Sequence, residues 1–390
     1  MQVLHCVRRF VLAYRYPLLA FCLSRLTLLL VVYLGIVVVP LAAGEGMWRD
    51  FPGNLFLDGF GRWDSGWYLN IAEYGYSNAP LFKEQMNTAF FPAFPLLLSI
   101  VGFFGRQAMS LWGIIASNLF FCFALCFLFD IAKHFSGPRL GRLAVSLAAF
   151  SPFSIFFSAV YTESLFLATS TASFWLSIRG RLQWAMLLAS IASVTKVVGI
   201  LCVPFVLLSA TLPAPVGSQE CGKPRRLRLE IIIALSVGIS LFSLYLIFLK
   251  VRFGNAFQLV VSQKAWATES GIAKLVGAWQ PIFDLKNVLQ GNIQVMGIIN
   301  SASLAVAVAL VAQCILKRWL PLSLSVWSLL TVLASSSLWF SGGRFVSAVF
   351  PLYIMLALCL RRLPAELSVG VSALLMSLFA IFFSHWYWVA

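Results

Sequence analysis

The sequence predicts an all-α polytopic membrane protein, a bundle of about eleven transmembrane helices with two long extracytoplasmic loops. Three observations predict it. Of 390 residues, 61% are hydrophobic and 11% are charged, against about 25% charged in a typical soluble domain. The apolar residues gather in runs approaching the thickness of a bilayer. The Lys and Arg residues gather in a subset of the connectors between those runs, as cytoplasmic loops do. No single water-soluble core could hide so much apolar surface, so a soluble globular protein, a disordered chain and a fibrous repeat are excluded. The net charge of +15 then reflects basic cytoplasmic loops, and no nucleic-acid partner is expected.

The elements follow in order. Arg8, Arg9 and Arg15 precede an apolar run over 17–40. That run is too long for the apolar region of a signal peptide, so it reads as an uncleaved first span, although Leu41-Ala42-Ala43-Gly44 weakly resembles a cleavage site. Further spans are expected at 108–132, 143–160, 164–178, 182–194, 197–210, 231–249, 291–316, 319–338, 345–360 and 366–384. The stretch 89–105 carries Pro92 and Pro95 and reads as a bent piece at the outer surface that does not cross. A break near Lys196 divides 182–210 into two short helices. With the N-terminus inside, the basic connectors 133–142, 179–181, 223–228, 317–318 and 361–362 then all face the cytoplasm. The inner side holds 16 Lys/Arg and 4 acids, the outer side 11 Lys/Arg and 9 acids, and the C-terminus lies outside.

Two outer loops result, at 41–106 and 250–290. The second carries Ile272, Leu275, Val276 and Trp279 at helical spacing, which fits an interfacial helix on the outer leaflet or a loop helix packed on the protein. The inner loop 211–230 contains Pro213, Pro215, Gly217 and Gly222, then a basic cluster suited to anionic membrane lipids. None of the eight Cys falls in an outer loop, so no disulfide is expected; three scattered His make a His-built metal site improbable. No internal repeat is visible, which weighs against a repeat-built transporter.

No Walker A motif and no Asp-x-Asp occur, and Gly59-Phe60-Gly61 lacks the context of a dinucleotide fingerprint. An enzyme of this composition must draw its energy from an activated substrate dissolved in the membrane. The first outer loop sets Asp64 among nine aromatic residues between Trp48 and Tyr76. A carboxylate among rings at a membrane surface loses part of its hydration and gains the basicity a general base needs. Its structural alternative is an N-cap for a helix over 65–74. Glu163 has the alternative of favouring a helix N-terminus. Lys196 lies in apolar sequence, where an ionisable group faces a polar cavity or snorkels to the interface. Arg344, between two outer helix ends, suits a phosphate or an interfacial anchor. Gln263 and Trp266 add an amide and a stacking ring.

These residues resemble the GPI mannosyltransferase 2 (PIG-V) family of the GT-C glycosyltransferase class. The strongest pieces are Arg62-Trp63-Asp64-Ser65-Gly66-Trp67-Tyr68, Ala89-Phe90-Phe91-Pro92-Ala93-Phe94-Pro95 and Tyr161-Thr162-Glu163 with its flanks. Weaker pieces are Lys196 with Gly199, Phe253-Gly254-Asn255 leading to Gln263 and Trp266, and Arg344 with Phe350-Pro351-Leu352. The resemblance implies a GT-C-like bundle in the plasma (inner) membrane with its active site outside. It implies a polyprenyl-phosphate-linked sugar donor, mannose by the family, and inverting transfer to a lipid or glycan acceptor. Asp64 is then the catalytic base. Trp63, Glu163, Gln263 and Trp266 match family motif positions, and Lys196 and Arg344 serve the phosphate. No cofactor and no required metal are expected, though Asp64 and Glu163 could share a divalent ion. The compact loops fit a bacterial-type member, which has no GPI to modify, so the acceptor stays open. The rival reading is a transporter or flippase of a lipid-linked sugar, and a blander one is a structural membrane subunit.

Overall fold

The computed structural model of the protein describes residues 9, 11–42, 49–82, 84–211, 224–264, 295–335 and 341–389. Thirteen helices organise it: α1 (Arg15–Val38), α2 (Ser65–Tyr74), α3 (Ala93–Ser99), α4 (Arg106–Ala149), α5 (Glu163–Ile178), α6 (Leu182–Ser193), α7 (Cys202–Thr211), α8 (Pro224–Phe253), α9 (Val295–Lys317), α10 (Leu322–Ser335), α11 (Gly342–Ser347), α12 (Pro351–Leu360) and α13 (Ala365–Ser384). Two further short helices, Leu55–Asp58 and Gln258–Gln263, and 3₁₀ turns link them, and no strand occurs among the described residues. Among the described residues, five helices are long and apolar enough to cross a membrane, and four shorter apolar ones accompany them. The protein is an all-helical, multi-pass membrane protein.

The outer faces of the long helices stay apolar where they are exposed: Leu19, Leu23, Leu26, Leu30 and Val37 of α1 face away from the protein. A soluble monomer does not carry such a face, and lipid is the solvent that accepts it. Inside, one core joins α4, α5, α6, α7, α9, α10 and α12. A second joins the 49–72 region to α1, the start of α4 and α13. Helix α5 buries Ser164, Thr169, Ser170, Thr171, Ser173 and Ser177, and small side chains of this kind allow close helix packing in a membrane. The six described cysteines are free.

Several expectations are corrected in detail. The sequence suggests separate spans at 108–132 and 143–160. Two helical stretches are present, parted by the non-helical backbone of Gly137 (φ 83) just before Pro138, but the second ends at Ala149 and not at 160. Residues 150–162 then form turns around a short 3₁₀ helix, Ser154–Phe157. The cause is Arg25, buried in α1. Its guanidinium donates to the carbonyls of Ala149 and Ser154, at 3.0 and 3.2 Å, and to the Ser158 hydroxyl at 2.7 Å. Irregular backbone at membrane depth persists only where protein groups satisfy it in this way. The expected span 345–360 is likewise divided into α11 and α12, the second opening with Pro351, a residue suited to the first helical turn.

Other expectations hold. Helix α3 has seven residues, about 10 Å at 1.5 Å per residue, too short to cross. Its first amide, Ala93, donates to the Val194 carbonyl at 3.0 Å and ties α3 to the broken helix. The break near Lys196 is present: α6 ends at Ser193, and a 3₁₀ turn, Val197–Leu201, leads into α7. Gly199 is needed there, because a Cβ would lie 1.8 Å from the Ala192 carbonyl oxygen. The interfacial helix expected around 272–279 and most of the inner loop 211–230 lie outside the described residues.

Candidate active site

Arg62-Trp63-Asp64 forms the turn that starts α2. Asp58 receives the Asp50 and Phe51 amides at 2.9 and 3.0 Å and pairs with Arg62, so the turn has a rigid base. Tyr161, fully buried, joins this turn to the segment before α5. Its hydroxyl accepts from the Asp64 amide at 3.1 Å and donates to the Arg62 carbonyl at 3.0 Å.

Asp64 occupies the N-cap position of α2, yet its side chain makes no capping bond. Its carboxylate faces Arg344 instead, with Nη1 at 2.6 Å from Oδ2. Arg344 sits on α11, and two glycines bring that helix close. A Cβ at Gly343 would lie 1.9 Å from the Phe153 ring, and the Gly343 amide donates to Asn300 Oδ1 at 2.8 Å. The other edge of the guanidinium, Nε, is 3.3 Å from Glu163 Oε1, an ion-pair distance without hydrogen-bond alignment. Lys196 Nζ reaches that same oxygen at 2.7 Å. The Phe345 ring lies beneath both cations, 4.5 Å from Lys196 Nζ and 4.9 Å from the Arg344 guanidinium.

Four residues singled out from sequence, Asp64, Glu163, Lys196 and Arg344, therefore form one chain of charge: carboxylate, guanidinium, carboxylate, ammonium. Glu163 opens α5, so its favourable place at a helix N-terminus also holds. Lys196 does not snorkel and Arg344 is not a free anchor, since each is committed to a carboxylate. The cluster is neutral overall, which limits the cost of holding four charges away from water. Exposure separates their roles: the Asp64 side chain is 13% accessible, against 1% for Glu163, 6% for Lys196 and 7% for Arg344. Asp64 is thus the most exposed of the four, and the others are more deeply buried. Arg344 lies between the two carboxylates.

Trp63 lies beside Asp64 and packs edge-on against Trp386 and Trp388. Gln263 is held differently, its amide donating to the Ala89 carbonyl at 2.9 Å. Trp266 lies outside the described residues. Sequence reasoning passed over Tyr161, Phe345 and the two C-terminal tryptophans. Tyr161 stood two positions before Glu163 in a motif already noted, whereas nothing local marked the tryptophans.

Similarity to known proteins extends this picture. The Mannosyltransferase (PIG-V) family matches residues 48–267, more than half of the chain. GPI alpha-1,6-mannosyltransferase 2 of Cricetulus griseus is 33% identical over 162 residues, 39% of this chain and 31% of the hamster protein. The human protein of the same name is 31% identical over 163 residues, 39% of this chain and 32% of its own. The matched stretch thus spans about a third of the length of these relatives. Among solved structures, an oligosaccharyltransferase of Archaeoglobus fulgidus superposes with a TM-score of 0.42 at 12% identity, over 93% of this chain and 53% of that one. That overlap is too loose to bear on the site.

Proposed function

The chain belongs to the mannosyltransferase (PIG-V) family, and on that premise we propose that it transfers a mannosyl residue from a polyprenyl-phosphate donor to a hydroxyl of a lipid-linked or extracytoplasmic acceptor, with inversion. The observation that carries this reading is the Asp64–Arg344–Glu163–Lys196 relay: a partly exposed acid backed by two buried cations.

In the proposed reaction the acceptor hydroxyl attacks the anomeric carbon, and Asp64 takes its proton. The bond between that carbon and the phosphate oxygen breaks, and the phosphate leaves with the electron pair and one more negative charge. Arg344 and Lys196 are the cations placed to meet that growing charge. The relay lets them do so without being left bare beforehand, because Glu163 holds both while the site awaits substrate. Preorganised charges in a water-poor site act on the transition state far more strongly than they would in bulk water. The expected orientation has the site on the outer face of the plasma membrane, where the aromatic turn meets the lipid head groups.

The test is a transfer assay with synthetic polyprenyl-phosphate-[14C]mannose and total membrane lipid. Asp64→Ala abolishes formation of mannosylated lipid while the protein remains folded and inserted. Normal turnover by Asp64→Ala would refute the mechanism, and movement of intact donor across the bilayer without a new glycosidic bond would establish the flippase reading instead. An EDTA arm of the same assay decides whether a divalent ion takes part.

A further inference from the structure

The family match ends at residue 267, yet the Trp-Asp turn is walled by residues far beyond it. Arg62 Nε donates to the Ser384 carbonyl at 3.0 Å, and its guanidinium lies 4.7 Å from the centre of the Trp386 ring. Trp63 meets Trp386 at 5.5 Å and Trp388 at 5.1 Å between ring centres, both edge to face. The Ala42 amide donates to the His385 carbonyl at 3.0 Å, which fastens this tail to the start of the outer loop.

Two features of this wall are not explained by packing. Trp63 and Trp386 both have left-handed backbone, with φ of 57° and 67°, a costly conformation for a bulky side chain. The indole Nε1 atoms of both, and Nη2 of Arg62, are buried without a hydrogen-bond partner among the described residues. Buried indole N–H groups ordinarily find an acceptor. Two strained residues that each carry an unpaired indole N–H, next to the unpaired Nη2 of Arg62 and a partly exposed acid, point to a site whose acceptors arrive with a ligand.

The donors and the rings together define the ligand class. An isoprenoid or acyl chain offers no acceptor to the N–H groups. A bare phosphate would use the donors and leave the ring faces idle. A pyranose or cyclitol ring supplies both, with oxygens at its rim and C–H bonds on its faces. We propose that Trp63, Trp386 and Trp388, with Arg62, bind the hydroxyl-rich ring of the acceptor and set its reactive hydroxyl against Asp64. This rests on the transferase reading above and assigns the acceptor side of that site to the C-terminal tail.

The test uses the full-length protein in nanodiscs, with total membrane lipid as the acceptor pool. Trp388→Ala raises the half-saturating amount of lipid at least tenfold and leaves the half-saturating donor within twofold; Trp388→Tyr, which keeps a ring, restores most of the loss. An unchanged lipid requirement, or a rise in the donor requirement instead, overturns the proposal. Should Trp388→Ala fail to insert, Trp63→Phe, which removes only the indole N–H and part of the ring, is read in its place. Native mass spectrometry separates this inference from the transferase reading. If the wild type transfers nothing, yet retains inositol- or sugar-bearing lipids that Trp388→Ala loses, the transferase reading falls and the site stands. Equal retention by the two proteins overturns the site.

Discussion

Replacing Glu163 by glutamine keeps the side chain's shape and removes a single charge, yet the structure predicts a large loss. Glu163 Oε1 is 2.7 Å from Lys196 Nζ and 3.3 Å from Arg344 Nε, and the two partners are 6% and 7% exposed. At an effective dielectric of about 20, Coulomb's law gives about 6 kcal/mol for the closer pair before desolvation is counted. Removing one partner of a buried pair costs about 3–5 kcal/mol, because the other is left uncompensated. In Glu163→Gln the uncompensated group is Lys196, since Arg344 still holds Asp64. Lys196→Met is milder, because Glu163 keeps Arg344. In the double variant no cation is stranded, so its loss falls short of the sum of the single losses by about 2–3 kcal/mol. Unfolding followed by circular dichroism in mixed micelles reads the stabilities, and the mannosyl-transfer assay reads the activities. Transfer stays lost in the double variant although stability returns, because the proposed mechanism needs the Lys196 cation beside the leaving phosphate. Single losses that add within about 0.5 kcal/mol would show that the two side chains do not interact and would refute the relay.

Other perturbations test other parts. Arg344→Lys supplies charge but cannot reach Asp64 and Glu163 from two edges of one plane, so kcat falls at least about tenfold with the protein still folded, measured in the same transfer assay. Gly199→Ala places a Cβ 1.8 Å from the Ala192 carbonyl oxygen; backbone cannot step aside as a side chain does, and the midpoint of unfolding reports a loss of about 3 kcal/mol or more. Arg25→Met leaves the Ala149 and Ser154 carbonyls and the Ser158 hydroxyl without their shared donor. It costs about 2–4 kcal/mol and lowers transfer as well, because the segment that presents Tyr161 and Glu163 loosens. Limited proteolysis at 150–162 checks the loosening.

Much of this arrangement could be read from the chain before its structure. The break near Lys196 was legible because the basic connectors share one side only if 182–210 divides into two short helices. The short α3 was legible from Pro92 and Pro95. Asp64, Glu163, Lys196 and Arg344 were each visible as charges in unusual surroundings. Their pairing was not, since Asp64 and Arg344 are 280 positions apart and no local pattern reports such a contact. Residues 150–160 were misread as helix because hydropathy records what a segment is made of and not how its backbone is satisfied. The deciding group, Arg25, lies 129 positions from Ser154. Trp386 and Trp388 directly follow α13, where nothing local marks them as part of a site. Their contact with Trp63 depends on how α13 docks against α1, which periodicity within either helix does not encode.

The same long reach from Asp64 to Arg344 has a consequence for how the protein is made. Membrane chains are threaded in the order of synthesis, early segments first. When α7 has entered the bilayer, Asp64 and Glu163 are already in place and Lys196 is the single counter-charge beside them. The guanidinium that completes the set arrives only after α8, α9 and α10 have been laid down. A nascent chain therefore passes through a stage in which an acidic hole is open in its interior, and insertion of α11 closes it. Chains cut short before residue 344 stay at that stage.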